Sequence, residues 1–267
     1  MKLYQPTSRR EAIDCLASCE KPVVLAGGTD LVAQFNEGLS PAELVDISKL
    51  GALLEVRQAG GSLHIGALVT HHAGAGHSLV RAALPGFAVA WSRIANPRIR
   101  FRATLGGNLM ARRARYEGGL LLLALEARIG YAAPGGASEV TDSNALWRED
   151  FPRRALLEGV EIDAGGLVAF HYERSLRPLM TQALALWRHS GGLRLGFAIG
   201  TEYLRPVRLS LMLPGIGLRQ VAGSSRAIAR DTLAQLPESF GDHVVTPAYA
   251  RRAGAALLAR QLEGLHG

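Results

Sequence analysis

Cysteine is scarce in this chain, which has only Cys15 and Cys19 in 267 residues. The common zinc and iron–sulfur sites take about four ligands and are usually rich in cysteine, so this pair alone does not supply one. The sequence also lacks the H-E-x-x-H, C-x-x-C and P-loop patterns. We therefore expect no metal site in this chain, and we interpret both cysteines as buried or half-buried small side chains.

Long hydrophobic runs are missing as well. The longest, "LLLLALEARIGYAA", is interrupted by Glu126 and Arg128, and it is shorter than the run of about 20 apolar residues that a transmembrane helix needs. The first residues, "MKLYQPTSRREA", contain no apolar segment of the kind found in secretory signals. We expect a cytoplasmic protein with no membrane span.

The charge is basic, with a net charge of +7 and a pI of about 9.9. A basic surface is one signature of nucleic-acid binding, but here the arginines are spread along the chain without interleaved aromatic residues or a known nucleic-acid motif. Ordinary composition is the favoured interpretation, followed by an acidic partner or a phosphate-bearing cofactor. We expect no nucleic-acid partner.

The first part of the sequence predicts a βαβ unit. Ser8 and Glu11 form a capping box that begins a helix ending near Ser18. The apolar stretch "PVVL" is typical of a buried strand, a helix follows from Asp30 to Gly38, and "AELVDIS" is a second strand. Two strands flanking one helix indicate a small unit with parallel pairing.

The rest of the chain alternates between strands and helices. A Gly-Gly hairpin is predicted within "ALLEVRQAGGSLHIGAL", a helix in "LPGFAVAWSRIA", a helix and a strand in "GGLLLLALEARIGYAA", and a strand in "RALLEGVEI". Further on, "GLVAFHYER", "LRLGFAIGTEYL" and "PVRLSLML" are predicted strands with helices between and after them. The last helix is expected from about Pro247 to Leu262, and a division of the chain is expected near residues 163–166.

Two glycine pairs stand out, in "VLAGGTDL" and "ATLGGNLM". Either pair by itself is most simply interpreted as a tight turn, where glycine supplies backbone freedom. The alternative is a close approach of the backbone to an anion, with free N–H groups and a helix N-terminus behind it. Together, the two loops are suited to holding a pyrophosphate, with Thr29, Thr104 and Asn108 as additional donors.

The glycine spacing argues against a dinucleotide site of the classical Rossmann type. That site requires G-x-G-x-x-G after a strand. The chain has G-x-G only at Gly74/Gly76 and at Gly215/Gly217, and neither is followed by the third glycine.

A family resemblance rests on several of these stretches together. In order and spacing, "VLAGGTDL", "VDIS", "HIGALVTH", "IRFRATLGGNLM" and "LLALEARI" resemble the FAD-binding medium subunit of molybdenum hydroxylases of the carbon monoxide dehydrogenase and xanthine dehydrogenase type. Later, "YERSLRP" resembles the family's Tyr-x-Lys-x-x-Arg segment, while "LRLGFAIGTEYLRPVRL" and "YARRAGAALLARQL" resemble its strand pair and closing helix. The resemblance covers nearly the full length.

The resemblance implies an α+β protein in two domains. Residues 1–164 would be a FAD-binding domain of the vanillyl-alcohol-oxidase (PCMH) type, with subdomains at about 1–52 and 53–164. Residues 165–267 would be the C-terminal domain of the medium subunit, with a small antiparallel sheet and helices.

The resemblance also implies a set of cofactor-binding residues and no catalytic side chain. Two apolar residues, Ile94 and Leu157 or its neighbour Leu156, would cover the faces of adenine, with plain core packing as the alternative. Tyr172 would approach the flavin ring, although a strand tyrosine is often a core residue. The residues implied near the pyrophosphate are Ala26, Gly27, Gly28, Thr29, Asp30 and Leu31 on one side and Thr104, Gly106, Gly107 and Asn108 on the other.

Some positions depart from the family pattern. Glu117 stands where an aspartate would contact ribityl or ribose hydroxyls, and the proline that usually precedes that position is absent. Arg174 replaces the lysine of the Tyr-x-Lys segment. A stretch that is usually neutral or acidic carries three arginines, for which solvent or an acidic partner is favoured over a phosphate: Arg112, Arg113 and Arg115.

The implied function is electron transfer within a heteromeric molybdenum hydroxylase. This chain would bind FAD, a small partner subunit would carry 2Fe-2S clusters, and a large partner subunit would carry the molybdenum cofactor, as a dimer of heterotrimers. Two alternatives remain open: a stand-alone flavoprotein oxidoreductase, for which His71 or His72 would be a covalent flavin site or ordinary loop residues, and an assembly subunit with a decayed flavin site.

Overall fold

The computed structural model describes residues 1–152, 154–174 and 179–265. No helix in these ranges is both long and apolar enough to cross a membrane. The strands are β1 (Lys2–Tyr4), β2 (Pro22–Leu25), β3 (Glu43–Asp46), β4 (Val56–Ala59), β5 (Ser62–Gly66), β6 (Arg128–Ala132), β7 (Ser138–Asp142), β8 (Leu156–Asp163), β9 (Leu167–Arg174), β10 (Met180–His189), β11 (Gly192–Thr201) and β12 (Val207–Pro214). The α-helices are α1 (Arg9–Ser18), α2 (Thr29–Asn36), α3 (His71–Gly76), α4 (Ser78–Ala83), α5 (Pro85–Ser92), α6 (Pro97–Arg100), α7 (Leu105–Met110), α8 (Glu117–Ala124), α9 (Leu218–Ala234) and α10 (Pro247–Glu263).

The first sheet is parallel and contains the predicted βαβ unit. Its order is β1-β3-β2, and Val24 of β2 lies opposite Val45 of β3. The helix α1 begins after Ser8, whose hydroxyl oxygen accepts a hydrogen bond from the backbone N–H of Glu11, as the capping box predicts. The helix α2 connects β2 to β3, so that the first glycine pair lies at the carboxyl end of β2.

The second sheet is antiparallel, with the order β4-β5-β8-β6-β7. The predicted Gly-Gly hairpin joins β4 to β5, and Gly60 has the positive φ of 59° that such a turn requires. The helix α8 is buried along its whole length. It packs against β10, β11 and β12 of the third sheet and against α5 and α7, which explains why its sequence is apolar on every face.

The third sheet has the order β12-β11-β10-β9 and is antiparallel throughout. The expectation of a helix between "GLVAFHYER" and "LRLGFAIGTEYL" is wrong, because β10 occupies this part of the chain and pairs with both β9 and β11. Residues 183–187 of β10 are all buried. A continuous apolar run suits a central strand covered on both faces as well as it suits a buried helix, so periodicity does not separate them.

The expected division near residues 163–166 coincides with the turn from β8 to β9, where the chain passes from the second sheet to the third. The largest apolar core nevertheless crosses this turn, since Phe170 of β9 and Ala185 and Trp187 of β10 pack with residues of α5 and α8. The domain boundary at residue 164 therefore stays a prediction.

Candidate functional site

A cavity of about 790 Å³ is lined by residues of β2 in the first sheet, of the helices α2 and α7, and of the start of β8. This volume is within the range of about 300–1,000 Å³ that small-molecule and cofactor sites occupy. Both glycine loops line it. The predicted cofactor-binding residues that line the cavity are Ala26, Gly27, Gly28, Thr29, Asp30, Leu31, Ile94, Thr104, Gly106, Gly107, Asn108, Glu117 and Leu157.

The two glycine loops touch each other through their backbones. A Cβ atom on Gly27 would lie 2.0 Å from the carbonyl oxygen of Arg102, two residues before Thr104. Gly28 serves a different purpose, because its φ of 75° belongs to the left-handed region that glycine adopts readily. From the sequence, a tight turn and a close approach of the backbone were alternative interpretations of this pair. The structure shows both, because Gly28 makes the turn and Gly27 makes the close approach. The close approach of Gly27 is to the second loop, and the approach of the first loop to an anion stays a prediction.

The backbone N–H groups of the second loop are already occupied. Leu105 donates to the carbonyl oxygen of Val69, and Gly106 donates to that of Ala67, at 2.9 and 2.8 Å. Gly107 donates to the hydroxyl oxygen of Thr104, which caps α7. The expectation that this loop offers free backbone donors is therefore wrong, because the loop uses them to hold its own position.

The first loop is different. The helix α2 begins after Gly28, and no side chain caps the N–H groups of its first turn. The first intrahelical hydrogen bond in this turn is donated by Val32 to the carbonyl of Gly28. The N–H groups of residues 29–31 consequently precede the hydrogen-bonded ladder, and these residues line the cavity. This end of α2 is the part of the site whose backbone suits an anion.

The carboxylate of Asp30 is held by partners from its own helix and from the segment after α7. Tyr116 donates its hydroxyl to Oδ1 at 2.5 Å, Arg113 donates Nε to Oδ1 at 3.2 Å, and Gln34 donates Nε2 to Oδ2 at 2.5 Å. Burial alone would raise the pKa of Asp30, but these hydrogen bonds outweigh it and lower the pKa below its ordinary value. Asp30 is therefore an ionised anchor, and Arg113 pairs with it instead of with solvent or a partner.

Glu117 forms the other polar end of the cavity. It is only 7% exposed, and its Oε1 accepts hydrogen bonds from the hydroxyl of Tyr172 at 2.5 Å and from Arg174 at 2.7 Å. Burial and the charge of Glu117 raise the pKa of Tyr172 far above its ordinary value, so this hydroxyl stays protonated. Tyr172 is the one predicted residue that does not line the cavity. The following residues of the Tyr-x-Lys-x-x-Arg segment, 175–178 with Arg177, lie outside the described residues.

The apolar residues expected near adenine line the same cavity. Ile94 is 3% exposed and Leu157 is 5% exposed. Leu156, the other candidate, also lines the cavity. All three belong to apolar cores as well. Core packing and contact with a flat ring are therefore compatible functions of the same side chains.

Two buried polar groups beside the cavity lack a partner within the described parts of the chain. They are Oδ1 of Asn108 and Nε2 of His71. The other ring nitrogen of His71, Nδ1, accepts a hydrogen bond of 2.7 Å from Nε1 of Trp91. Burial lowers the pKa of His71 to about 4, with a smaller contribution from the charge of Arg100. Sequence reasoning missed this buried pair, because no spacing connects a histidine at the start of α3 with a tryptophan in α5.

Comparison with known proteins identifies the family. The profile described as "FAD binding domain in molybdopterin dehydrogenase" matches residues 1–162. The chain belongs to this family. The family description names the cofactor, and the cavity fits it: the uncapped first turn of α2 faces the cavity, and an unpaired buried amide oxygen lies beside it.

Individual relatives agree with the family. The chain is 32% identical over 142 residues to the "Nicotinate dehydrogenase FAD-subunit" of Eubacterium barkeri, covering 53% of this chain and 48% of the relative. It is 36% identical over 107 residues to the "Carbon monoxide dehydrogenase medium chain" of Afipia carboxidovorans, covering 39% of this chain and 37% of the relative. The chain thus spans about half the length of the curated relatives it matches.

Solved structures share the fold over a longer part of the chain. Quinoline 2-oxidoreductase from Pseudomonas putida 86 superposes with a TM-score of 0.80 at 22% identity, covering 98% of this chain and 95% of that one. A carbon monoxide dehydrogenase from Hydrogenophaga pseudoflava gives a TM-score of 0.80 at 20% identity, covering 97% and 95%. The predicted α+β FAD-binding fold is confirmed.

Proposed function

We propose that this chain is the FAD-binding electron-transfer subunit of a heteromeric molybdenum hydroxylase. It accepts electrons from 2Fe-2S clusters in a small partner subunit and passes them to an external acceptor. A large partner subunit carries the molybdenum cofactor, and the complex is a dimer of heterotrimers. The main support for this proposal is that both glycine loops line the same cavity. The relatives of the chain are named as FAD subunits and medium chains.

Within this function, the residues of the chain bind and position the cofactor. FAD supplies a ring that takes up and releases electrons. The first turn of α2 donates backbone N–H groups toward the diphosphate, and Ile94 and Leu157 pack against adenine. Glu117 accepts hydrogen bonds from sugar hydroxyls, while Tyr172 and Arg174 hold its carboxylate in place by donating hydrogen bonds to Oε1. Residues 1–164 and 165–267 are the corresponding domains.

The altered stretch between Met110 and Gly118 fits a working site better than a decayed one. Its side chains are engaged with Asp30 and with the buried end of the cavity. The cavity beside it remains open at about 790 Å³. A decayed site would be expected to fill with side chains, because interiors pack closely once a ligand no longer occupies them.

Purification of the chain, alone and together with the products of neighbouring reading frames, tests the proposal. We expect the isolated chain to bind one equivalent of FAD and to show a flavin absorption spectrum. In the co-expressed complex, we expect molybdenum and iron to co-purify with it, and the flavin to be reduced when substrate is added. A chain that binds no FAD in either preparation contradicts the proposal. A flavoprotein that oxidises a substrate without partners supports the stand-alone alternative.

A further inference from the structure

The charged residues that line the cavity are not all paired with each other. They are Asp30, Arg115, Glu117, Arg174 and Glu202. Asp30 is held by Arg113, and Glu117 is held by Arg174. Within the described parts of the chain, Arg115 makes no hydrogen bond and no salt bridge, and its side chain is exposed. It is thus an arginine at the cavity whose charge is not neutralised by a nearby carboxylate.

Arg115 lies in a segment that is anchored on both sides. Arg113, before it, and Tyr116, after it, both donate to the carboxylate of Asp30. The backbone N–H of Tyr116 also donates to the carbonyl oxygen of Arg113 at 2.9 Å, which closes the chain into a turn. Arg112 enters this turn with a φ of 47°, a conformation that is unfavourable for a side chain larger than glycine. Such a conformation persists only where surrounding contacts impose it.

Arg115 lines the same cavity as the first turn of α2, whose backbone donors are not capped by a side chain. Burial and the hydrogen bond to Asp30 raise the pKa of Tyr116 to about 12, while the charges of Arg113 and Arg115 act in the opposite direction. Arg115 directly precedes Tyr116, both residues line the cavity, and the Tyr116 hydroxyl ties this segment to α2. That hydroxyl contacts Asp30 in the first turn of α2, where the uncapped N–H groups face the cavity.

The local charge balance favours an anion. Asp30 is ionised, but Arg113 neutralises it, so the pair has no net charge. Next to this pair, what remains is the positive charge of Arg115 and the partial positive charge of the uncapped helix end. Glu202, the other charged residue of the cavity without an ion pair among the described residues, directly follows β11 of the third sheet. Guanidinium groups bind phosphate oxygens through charge-assisted hydrogen bonds, which are stronger than neutral ones.

We propose that Arg115 binds the diphosphate of the dinucleotide, and that the anchoring of Arg113 and Tyr116 on Asp30 positions it. This inference rests on the proposed FAD site. It assigns a binding function to a position in the stretch where the family is usually neutral or acidic. It also makes Asp30 a positioning residue that acts through Arg113 and Tyr116, and not a contact of the cofactor itself.

Arg115→Gln tests the inference against Arg226→Gln, a matched control that removes an equally exposed positive charge from α9. The dissociation constant for FAD would be measured on the apo chain by flavin fluorescence. We expect Arg115→Gln to weaken FAD about 10- to 100-fold, the effect of losing one charge-assisted hydrogen bond. Arg226→Gln should bind as the unmodified chain does. Arg115→Lys, which keeps the charge, should recover part of the affinity.

Competition with ligand fragments separates the diphosphate from the rest of the cofactor. ADP should lose affinity in Arg115→Gln, whereas adenosine and riboflavin should not. Added salt should weaken FAD less in Arg115→Gln than in the unmodified chain, because a charge pair is screened and a neutral contact is not. Equal affinity of both chains for FAD and ADP overturns the inference and leaves the proposed function intact. Equal losses for ADP and adenosine also overturn it, since the effect would not pass through the diphosphate. Failure of the unmodified chain to bind FAD, both alone and in the co-expressed complex, refutes the proposed function instead and the inference with it.

Discussion

Replacing His71 by asparagine should remove a specific part of the pH dependence of stability. His71 is completely buried, and Nδ1 accepts a hydrogen bond from Trp91. An asparagine places its amide oxygen near the position of Nδ1, so the hydrogen bond from Trp91 can be retained. What the substitution removes is the ability to take up a proton. The variant therefore isolates the protonation of one buried group.

The magnitude follows from the pKa values of His71. Burial lowers its pKa from 6.5 to about 4 in the folded chain. At about 1.4 kcal/mol for each pKa unit, this difference corresponds to about 3 kcal/mol of unfolding free energy. The free energy of unfolding should decrease as the pH falls, because the unfolded chain takes up the proton at a higher pH than the folded chain does. The free energy of unfolding should be unaffected by this group above pH 6.5 and should decrease progressively between pH 6.5 and about 4.

The measurement is urea unfolding of both chains, monitored by tryptophan fluorescence at several pH values between neutral and about pH 4. Other groups titrate in the same interval, including His64 and His171, whose pKa values are also lowered by burial. Their contributions cancel in the difference between the unmodified chain and His71→Asn. We expect that difference to change by about 3 kcal/mol across the interval. A difference that stays constant with pH would refute the assignment of His71 as a buried neutral base.

Two further predictions concern the cavity itself. Gly27→Ala should destabilise the chain and abolish FAD retention, because the new Cβ would lie 2.0 Å from a backbone oxygen of the second loop. The control is Gly223→Ala, whose Cβ would meet nothing within 4 Å, and this variant should melt at or above the temperature of the unmodified chain. A Gly27→Ala chain with unchanged melting and full flavin content would contradict the contact between the loops. Glu117→Ala should weaken FAD binding and destabilise the chain by about 1–3 kcal/mol, because the half-buried hydroxyl of Tyr172 loses its acceptor. Glu117→Gln, which keeps an acceptor oxygen, should restore most of the stability, and equal stability of both variants would contradict this explanation.

The fold was largely predictable where local chemistry determines the structure. The capping box at Ser8, the strand that ends shortly before Gly27, and the hairpin at Gly60 all depend on residues close together in sequence, and the structure has each of them. The strand β10 was not predictable in this way. Its apolar run has no alternation, because residues 183, 185 and 187 pack into one apolar core and residues 184 and 186 pack into another. Only its partners in the sheet distinguish it from a helix.

The site was predictable as a set of residues but not as a set of interactions. The paired loops identify the cavity, and nearly all of the residues expected around it do line it. The pairing of Asp30 with Arg113 joins residues 83 positions apart, and the pairing of Glu117 with Tyr172 joins residues 55 apart. No periodicity in the sequence relates such positions. Asp30, predicted as a cofactor contact, lines the cavity and also accepts hydrogen bonds from Gln34, Arg113 and Tyr116. Its contact with the cofactor stays a prediction.

The difference between the two glycine loops changes how the site is expected to respond to mutation. In the second loop, every N–H from Leu105 to Asn108 is donated within the chain, so substitutions there should act on affinity mainly by displacing the loop. In the first loop, the uncapped turn after Gly28 leaves its donors directed at the cavity. Arg115 lines the same cavity. Changes at the first loop and at Arg115 should therefore alter diphosphate binding in a salt-dependent way, while changes at the second loop should alter FAD affinity and thermal stability together.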